Sequence, residues 1–212
     1  MRPDWVIISS LATAGGTLVL AAATFSAVRS ANRAARTSER SFLVALRPVL
    51  FQSHRDDPTQ KIRWVDSHWA HVDGGQASLE NVDGVVYMAM SLRNVGSGIA
   101  VIQAWRAEPE EPARSMTRPD PDDFFTQTRD LYVPPGDSSF WQAAIREPEH
   151  PHRADALRGV DAGLLMIDVL YSDHEGGQRT ISRFLLNRST STESIWLCSV
   201  VRHWYLDRQD PR

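Results

Sequence analysis

The groups with the most chemical potential in this sequence are histidines and carboxylates set in polar stretches. His68 and His71 stand three apart beside Asp66 and Asp73, and His150 and His152 flank Pro151. Neutral imidazole is a common metal ligand, so four imidazoles brought together would hold a zinc-like ion. No second ligand cluster at a recognised spacing accompanies them, and solvated loop side chains are the competing reading. Asp173, His174 and Glu175 form a polar tip ahead of Gly176 and Gly177. Such groups serve as general acids or bases only with a nucleophile in reach and a pocket around them, and a solvated turn needs neither. Cys198 is the only cysteine and lies in an apolar run. No intramolecular disulfide can form, and the thiol reads as a small buried hydrophobe. The sequence contains no G-x-x-x-x-G-K-[ST], G-x-S-x-G or H-E-x-x-H. Nucleotide hydrolysis and the commoner hydrolase mechanisms therefore lack their parts. The expectation is a protein without catalytic residues, metal or cofactor.

Tryptophan is the more informative residue type. Six of the seven, Trp64, Trp69, Trp105, Trp141, Trp196 and Trp204, fall after residue 48. Some must be core, because an antiparallel sheet buries one face. Trp69 lies in the polar stretch SHWAHVDGG, and Trp204 lies beside His203 and Tyr205 near the C-terminus. Trp69, Trp204 and Tyr205 are the expected contacts for an unknown protein partner, since aromatic anchors dominate interface energetics. The alternative is that they cap the ends of the fold.

These residues are carried by a chain with two distinct parts. Residues 5–28 form an uninterrupted uncharged stretch, which as a helix is about 36 Å long and crosses a hydrocarbon core of roughly 30 Å. Trp5 reads as an interfacial anchor. Arg29, Arg33, Arg36, Arg40 and Arg47 follow, opposed only by Glu39, whereas Arg2 and Asp4 precede the stretch. Cationic flanks are retained on the cytoplasmic side, so residues 1–4 are expected outside and the C-terminal region in the cytoplasm, at the inner membrane. A cleaved secretory signal would have its basic residues before a shorter apolar core. Export would make this an envelope-binding protein instead. Residues 29–43 read as a helical neck in which Arg29, Arg33, Arg36 and Arg40, spaced four, three and four, align towards lipid headgroups. Ser9, Thr13, Gly16, Thr17, Ala21 and Thr24 recur at helical spacing, a stripe through which two copies could associate in the bilayer.

From Pro48 onward 17 basic residues face 24 acidic ones, about −7. That excludes a nucleic-acid footprint, which demands a dense cationic face. The pattern turns strand-like, with runs at 44–53, 61–66, 85–94, 99–107, 138–145, 164–173, 179–186 and 194–206. In the third, Val86, Met88, Met90 and Leu92 share one face opposite Val85, Tyr87, Ala89 and Ser91. Gly and Pro turn signals separate the runs, a short helix is expected at 151–157, and 108–130 reads as a long exposed loop. The expected fold is mostly β: one antiparallel β-sandwich of about eight strands over 44–206, with a tail at 207–212.

The runs LRNVGSGIAV (92–101), YVPPGDSSFW (132–141) and VLYSDHEGGQRTISRF (169–184) resemble pieces of bacterial single-pass membrane-anchored proteins of unknown function. In those proteins a basic neck precedes an immunoglobulin-like sandwich with N-x-G-x-G-x-A, P-G-[ED] and Y-x-D-x-x-G segments. Asn94, Gly96, Gly98 and Ala100 fit the first segment, Pro135, Gly136 and Asp137 the second, and Tyr171, Asp173 and Gly176 the third. Ile99 stands where those proteins often have proline. The resemblance implies an immunoglobulin-like sandwich and no activity.

Overall fold

A computed structural model of the protein describes residues 5–109, 116–190 and 195–208, with side chains from residue 9. Residues 1–4, 209–212 and the Trp5 side chain, for which roles were expected, lie outside the described set. The chain divides into two compact units, Met1–Ala45 and Leu46–Arg212.

The first unit is helix α1, Trp5–Ala45. Within Ser9–Ala45 an 18-residue window reaches a mean hydropathy of 1.6, and none of it is buried inside the protein. The helix is therefore long and apolar enough to cross a membrane. Its hydroxyls are satisfied internally: Thr13, Thr17 and Thr24 donate to the carbonyls of Ser9, Thr13 and Leu20, each at 2.8 Å. The small-residue stripe thus offers close packing rather than spare donors. Pro48 disfavours helical geometry at the residue before it, and α1 ends at Ala45.

The second unit is mostly strand: β1 (Leu50–Gln52), β2 (Gln60–Arg63), β3 (Trp69–Val72), β4 (Gln76–Val82), β5 (Val85–Asn94), β6 (Ala100–Glu108), β7 (Phe125–Val133), β8 (Ser138–Ile145), β9 (Leu164–Ser172), β10 (Thr180–Arg188) and β11 (Trp196–Tyr205). One sheet runs β5-β4-β11-β10-β9-β6-β7, with β1 and β8 both on β5, and β2-β3 forms a separate hairpin. Every pairing is antiparallel. β11 meets β4 through only Trp196↔Ala77 and Leu197↔Gln76, a narrow junction in an otherwise continuous ladder. Helix α2, Arg153–Ala162, ends on Gly163 and runs five residues past the expected 157.

Both faces of β5 are buried, as its alternation implies. Val86, Met88, Met90 and Leu92 join the main core with Trp105, Trp141 and Phe184. Tyr87 and Ala89 face a smaller cluster with Ile62, Trp64, Ala70 and Val72 of the β2-β3 hairpin. The main core draws on β8 (Trp141, Ile145) and on β7 (Leu131, Val133), so both ends of the sheet curl over the same apolar interior.

The three motif segments converge on the stretch that enters the second unit, Leu46–Leu50. The buried Asn94 side chain accepts from the N–H groups of Val49 (3.1 Å) and Gly96 (3.0 Å) and donates to the carbonyls of Gly98 (2.6 Å) and Val133 (3.0 Å). Its backbone bonds Asp137 and Gly136, the latter at φ +73° in the Pro-Gly turn. A Cβ at Gly98 would lie 1.7 Å from the Leu46 carbonyl oxygen, so close backbone approach, not positive φ, demands glycine there. Tyr171 Oη accepts from the Leu50 N–H at 3.1 Å. Arg47, expected as a neck arginine, is instead 5% exposed within this clasp, ion-paired with Asp207 and lying 4.3 Å over the Tyr205 ring. With Arg47 included, 18 basic and 24 acidic residues give the second unit about −6.

Two further expectations are corrected. Glu108 is buried at the end of β6 and paired with Arg106, and β7 begins at Phe125, so 108–130 is not one exposed loop. The Thr-rich run there pairs with β6, which satisfies backbone that an open loop would leave to water. Residues 110–115 of it lie outside the described set. Trp204 is 1% exposed among Ala104, Leu170 and Ile181, with Arg183 and Arg202 over its ring at 5.1 and 5.5 Å. Tyr205 is buried between Arg47 and Arg208. Neither is available as a partner contact: alternation sends these neighbours to opposite faces of β11, and each face is covered, that of Trp204 by the Ala104–Leu170–Ile181 cluster and that of Tyr205 by the two arginines.

Candidate functional site

The feature least explained by folding is a cleft of about 610 Å³ between β7 and β8, with the tip of the β2-β3 hairpin as a further wall. These strands are the two ends of the sheet: among the described residues β7 pairs only with β6 and β8 only with β5. Among the described residues a side-chain bridge joins them, Gln127 Nε2 donating to the Gln142 carbonyl at 2.8 Å. The pairs Ala104↔Thr126 and Ile102↔Leu131 leave residues 127–130 opposite Gln103 alone. This bulge frees Gln127 and Arg129 from the ladder, and both line the cleft. The hairpin is tied to β8 by Trp64 Nε1, which donates to the Ala143 carbonyl at 3.1 Å.

His150 closes one end. Its ring lies 4.5 Å from Phe125 and parallel to Trp105, and Trp105 in turn meets Trp141 edge-on at 5.6 Å. His150 Nδ1 accepts the His152 N–H at 3.2 Å, so in the neutral ring the proton sits on Nε2. Burial pushes the pKa of both His150 and His152 below the ordinary imidazole value and keeps them neutral. Among the described residues His150 Nε2, Gln127 Oε1 and Gln142 Oε1 are buried polar atoms without a hydrogen-bond partner. An unpaired buried polar group costs roughly 1–3 kcal/mol, and three residues of the cleft wall each carry one, set back from its open space.

The cleft mouth is cationic. Arg63, Arg129 and Arg146 border it against Glu147. Arg146 is held by Asp66, whose carboxylate also accepts from Tyr87 Oη at 2.6 Å. That hydrogen bond from Tyr87, helped by Arg146, holds Asp66 at about 2. Arg63 bonds Ser67 Oγ and stacks over Trp69 at 5.4 Å. Arg129 is exposed and makes no hydrogen bond or ion pair with the described residues.

The other chemically suggestive residues fall elsewhere. His68 stacks on Tyr87 at 3.9 Å and faces Glu80 at 3.3 Å, while His71 is exposed on the outer face of β3. His150 and His152 keep to Trp105, and no group of three or more metal-ligating side chains forms among the described residues. Asp173 is buried and caps its own turn, accepting from the Gly177 N–H at 2.8 Å, and His174 and Glu175 point to solvent. Cys198 is sealed beside Met90, and burial drives its thiol pKa far up. A serine–histidine pair does form: Ser182 Oγ lies 2.7 Å from His203 Nδ1. Ser182 has no exposure, so no substrate can reach it, and its hydroxyl continues instead to Tyr171 Oη at 2.9 Å as part of the clasp. Asp168 and Arg183 form a bidentate pair at 2.7 Å in the core. Burial pushes the Asp168 carboxyl up and the guanidinium opposes it.

Two features of the site escaped sequence reasoning. The run KIRWVD reads as a strand to residue 66, but β2 stops at Arg63 and Val65 stands 93% exposed at the hairpin tip. The positive φ of Ser67, 67°, sets that tip, and serine carries no signal for it. The cleft itself is built from a polar strand that reads as loop. No family model matches this chain, and no curated protein is significantly similar to it.

Proposed function

We propose that this protein is a non-enzymatic interaction module, tethered to the inner membrane by a single span and presenting a cytoplasmic head to a protein partner. The observation that carries this reading is the β2-β3 hairpin, which exposes Val65 (93%) and Trp69 (52%) together. Water-exposed apolar side chains on a rigid turn are costly to leave uncovered, and aromatic and arginine side chains are the usual anchors of an interface. Arg63 lies over the Trp69 ring and holds it for docking. The apolar length of α1 supports the tether, and Arg29, Arg33, Arg36 and Arg40 after it support retention of that flank in the cytoplasm, against anionic headgroups. The stripe Ser9, Thr13, Gly16, Thr17, Ala21 and Thr24 supports self-association in the bilayer.

In-cell crosslinking of the full chain tests the partner: one protein captured by the native chain is expected to be lost with Val65→Asp and Trp69→Ala. Equal recovery by both variants contradicts the hairpin assignment. A Cys198→Ser, Asp56→Cys chain treated with a membrane-impermeant thiol reagent tests orientation, because the Asp56 side chain is 91% exposed. Protection until cells are opened fits a cytoplasmic head, and labelling of intact cells moves the binding role to the envelope.

A further inference from the structure

Helix α1 runs unbroken from the uncharged stretch into the basic neck, so one face of it joins an apolar ridge to a row of guanidiniums. At about 100° per residue, Leu11, Leu18, Phe25, Arg29, Asn32 and Arg36 fall within a sector of about 60°. The small-residue stripe through Thr13, Thr17 and Thr24 is centred about 130° away, so the two faces are separate. All six side chains of the first face are exposed, Leu18 at 73% and Phe25 at 70%. A groove of about 370 Å³ marks the junction of its apolar and basic halves, lined by Phe25, Val28, Arg29, Asn32, Arg33 and Arg36. Among the described residues the guanidiniums of Arg29, Arg33 and Arg36 make no hydrogen bond or ion pair, although Glu39 is near in sequence. Arg29 lies about 6 Å and Arg36 about 16 Å beyond Phe25 along the axis, and arginine stems bend back towards a bilayer surface. Each half of the face selects one part of a ligand. The ridge matches an acyl chain lying along the span. The guanidiniums match a phosphate, and the Asn32 amide can donate to its oxygens or accept from a headgroup hydroxyl. A free inorganic anion would leave the ridge uncovered, and a choline headgroup would bring a cation against three others.

We infer that this face holds one anionic phospholipid lengthwise, its acyl chain along Leu11, Leu18 and Phe25 and its phosphate at Arg29, Asn32 and Arg36, with Arg33 flanking it. The inference rests on the reading of α1 as a membrane span, and it gives the neck arginines a specific ligand in place of a general attraction. Spin-labelled phosphatidylglycerol and spin-labelled phosphatidylcholine, each at trace level in phosphatidylcholine vesicles carrying the full chain, test it. The motionally restricted fraction of each electron paramagnetic resonance spectrum gives the relative association of the two lipids. Phosphatidylglycerol is expected to be preferred at least about fivefold. The preference should fall to parity when three neighbouring pairs are exchanged: Arg29→Ser with Ser30→Arg, Arg33→Ala with Ala34→Arg, and Arg36→Thr with Thr37→Arg. This exchange keeps composition and net charge, and it shifts each guanidinium by about 1.5 Å along the axis but about 100° around it. Equal association of the two lipids with the native chain overturns the inference. So does an undiminished preference in the exchanged chain, which would reduce the arginines to a general attraction for anionic bilayers. Inorganic phosphate in excess, at constant ionic strength, should leave the preference intact, and its loss would assign the arginines to a free anion instead. If the exchanged chain does not insert, Arg29→Gln with Arg36→Gln decides, with parity expected and an undiminished preference contradicting the site. Alkaline extraction of the same vesicles separates the two readings: an extracted native chain contradicts the span and the site together, whereas a retained chain without lipid preference contradicts the site alone.

Discussion

At the Leu46–Leu50 clasp, Asn94 spends every hydrogen-bonding group of its side chain and backbone, and Tyr171, Ser182 and Arg47 extend the network around it, although Arg47 Nε is itself a buried atom with no partner among the described residues. At the β7-β8 cleft, Gln127, Gln142 and His150 each keep a buried polar atom with no partner among the described residues. Both regions are polar, aromatic and partly buried, so composition does not separate them. What separates the Asn94 amide from the amides of Gln127 and Gln142 is whether its polar demand is met from inside. Saturation is what a structure needs to hold a chain in one place, and unmet demand at a cleft costs stability that folding alone does not explain. Asn94 therefore reads as scaffold, and Gln127 and Gln142 as residues on which the fold does not depend.

The largest expected effect is at the clasp. Asn94→Leu strands two backbone N–H groups and two carbonyls in the core and should cost on the order of 3–5 kcal/mol, lowering the melting temperature of the head by roughly 10 °C. Gly98→Ala should act as strongly through its collision with Leu46. Acidification comes next. Burial holds His203 at about 4, below its ordinary value of 6.5. The unfolded chain then binds more protons between those values, so stability present above pH 6.5 is lost as pH falls towards 4. The loss should be about 3 kcal/mol, read from urea midpoints across that range, and His203→Gln should flatten it. Tyr171→Phe removes bonds to Leu50 and Ser182 and should cost about 1–2 kcal/mol. Trp69→Ala should change stability by less than about 0.5 kcal/mol, because the side chain is half exposed.

Much of the clasp was legible as motif but not as mechanism. The spacing of Asn94, Gly96 and Gly98 marks a constrained backbone, yet its constraint is a chain segment some 45 residues earlier, which no local pattern reveals. β5 and β8 match their expected bounds because each reads as a short β-branched and aromatic run between turn signals. β4 was missed although Asp83-Gly84, with positive φ at both residues, is a two-residue hairpin turn that requires a strand before it. β3 and β7 were missed because their exposed faces carry Trp, His, Thr and Arg, so the apolar signal is halved or absent. The cleft depends on those strands, and its unpaired atoms become visible only when both ends of the sheet are brought together.

The contrast between the saturated Asn94 amide and the unsaturated cleft glutamines is tested most directly by one paired measurement. Urea unfolding of the full chain in detergent, followed by tryptophan fluorescence, would compare Asn94→Leu with Gln142→Met, two polar-to-apolar replacements of similar size. Six of the seven tryptophans lie in the head, so the signal reports that unit. The expected midpoint lies far below that of the native protein for Asn94→Leu and equals or exceeds it for Gln142→Met. A loss at Gln142 comparable to that at Asn94 would show that the cleft glutamine is structural and would contradict the distinction.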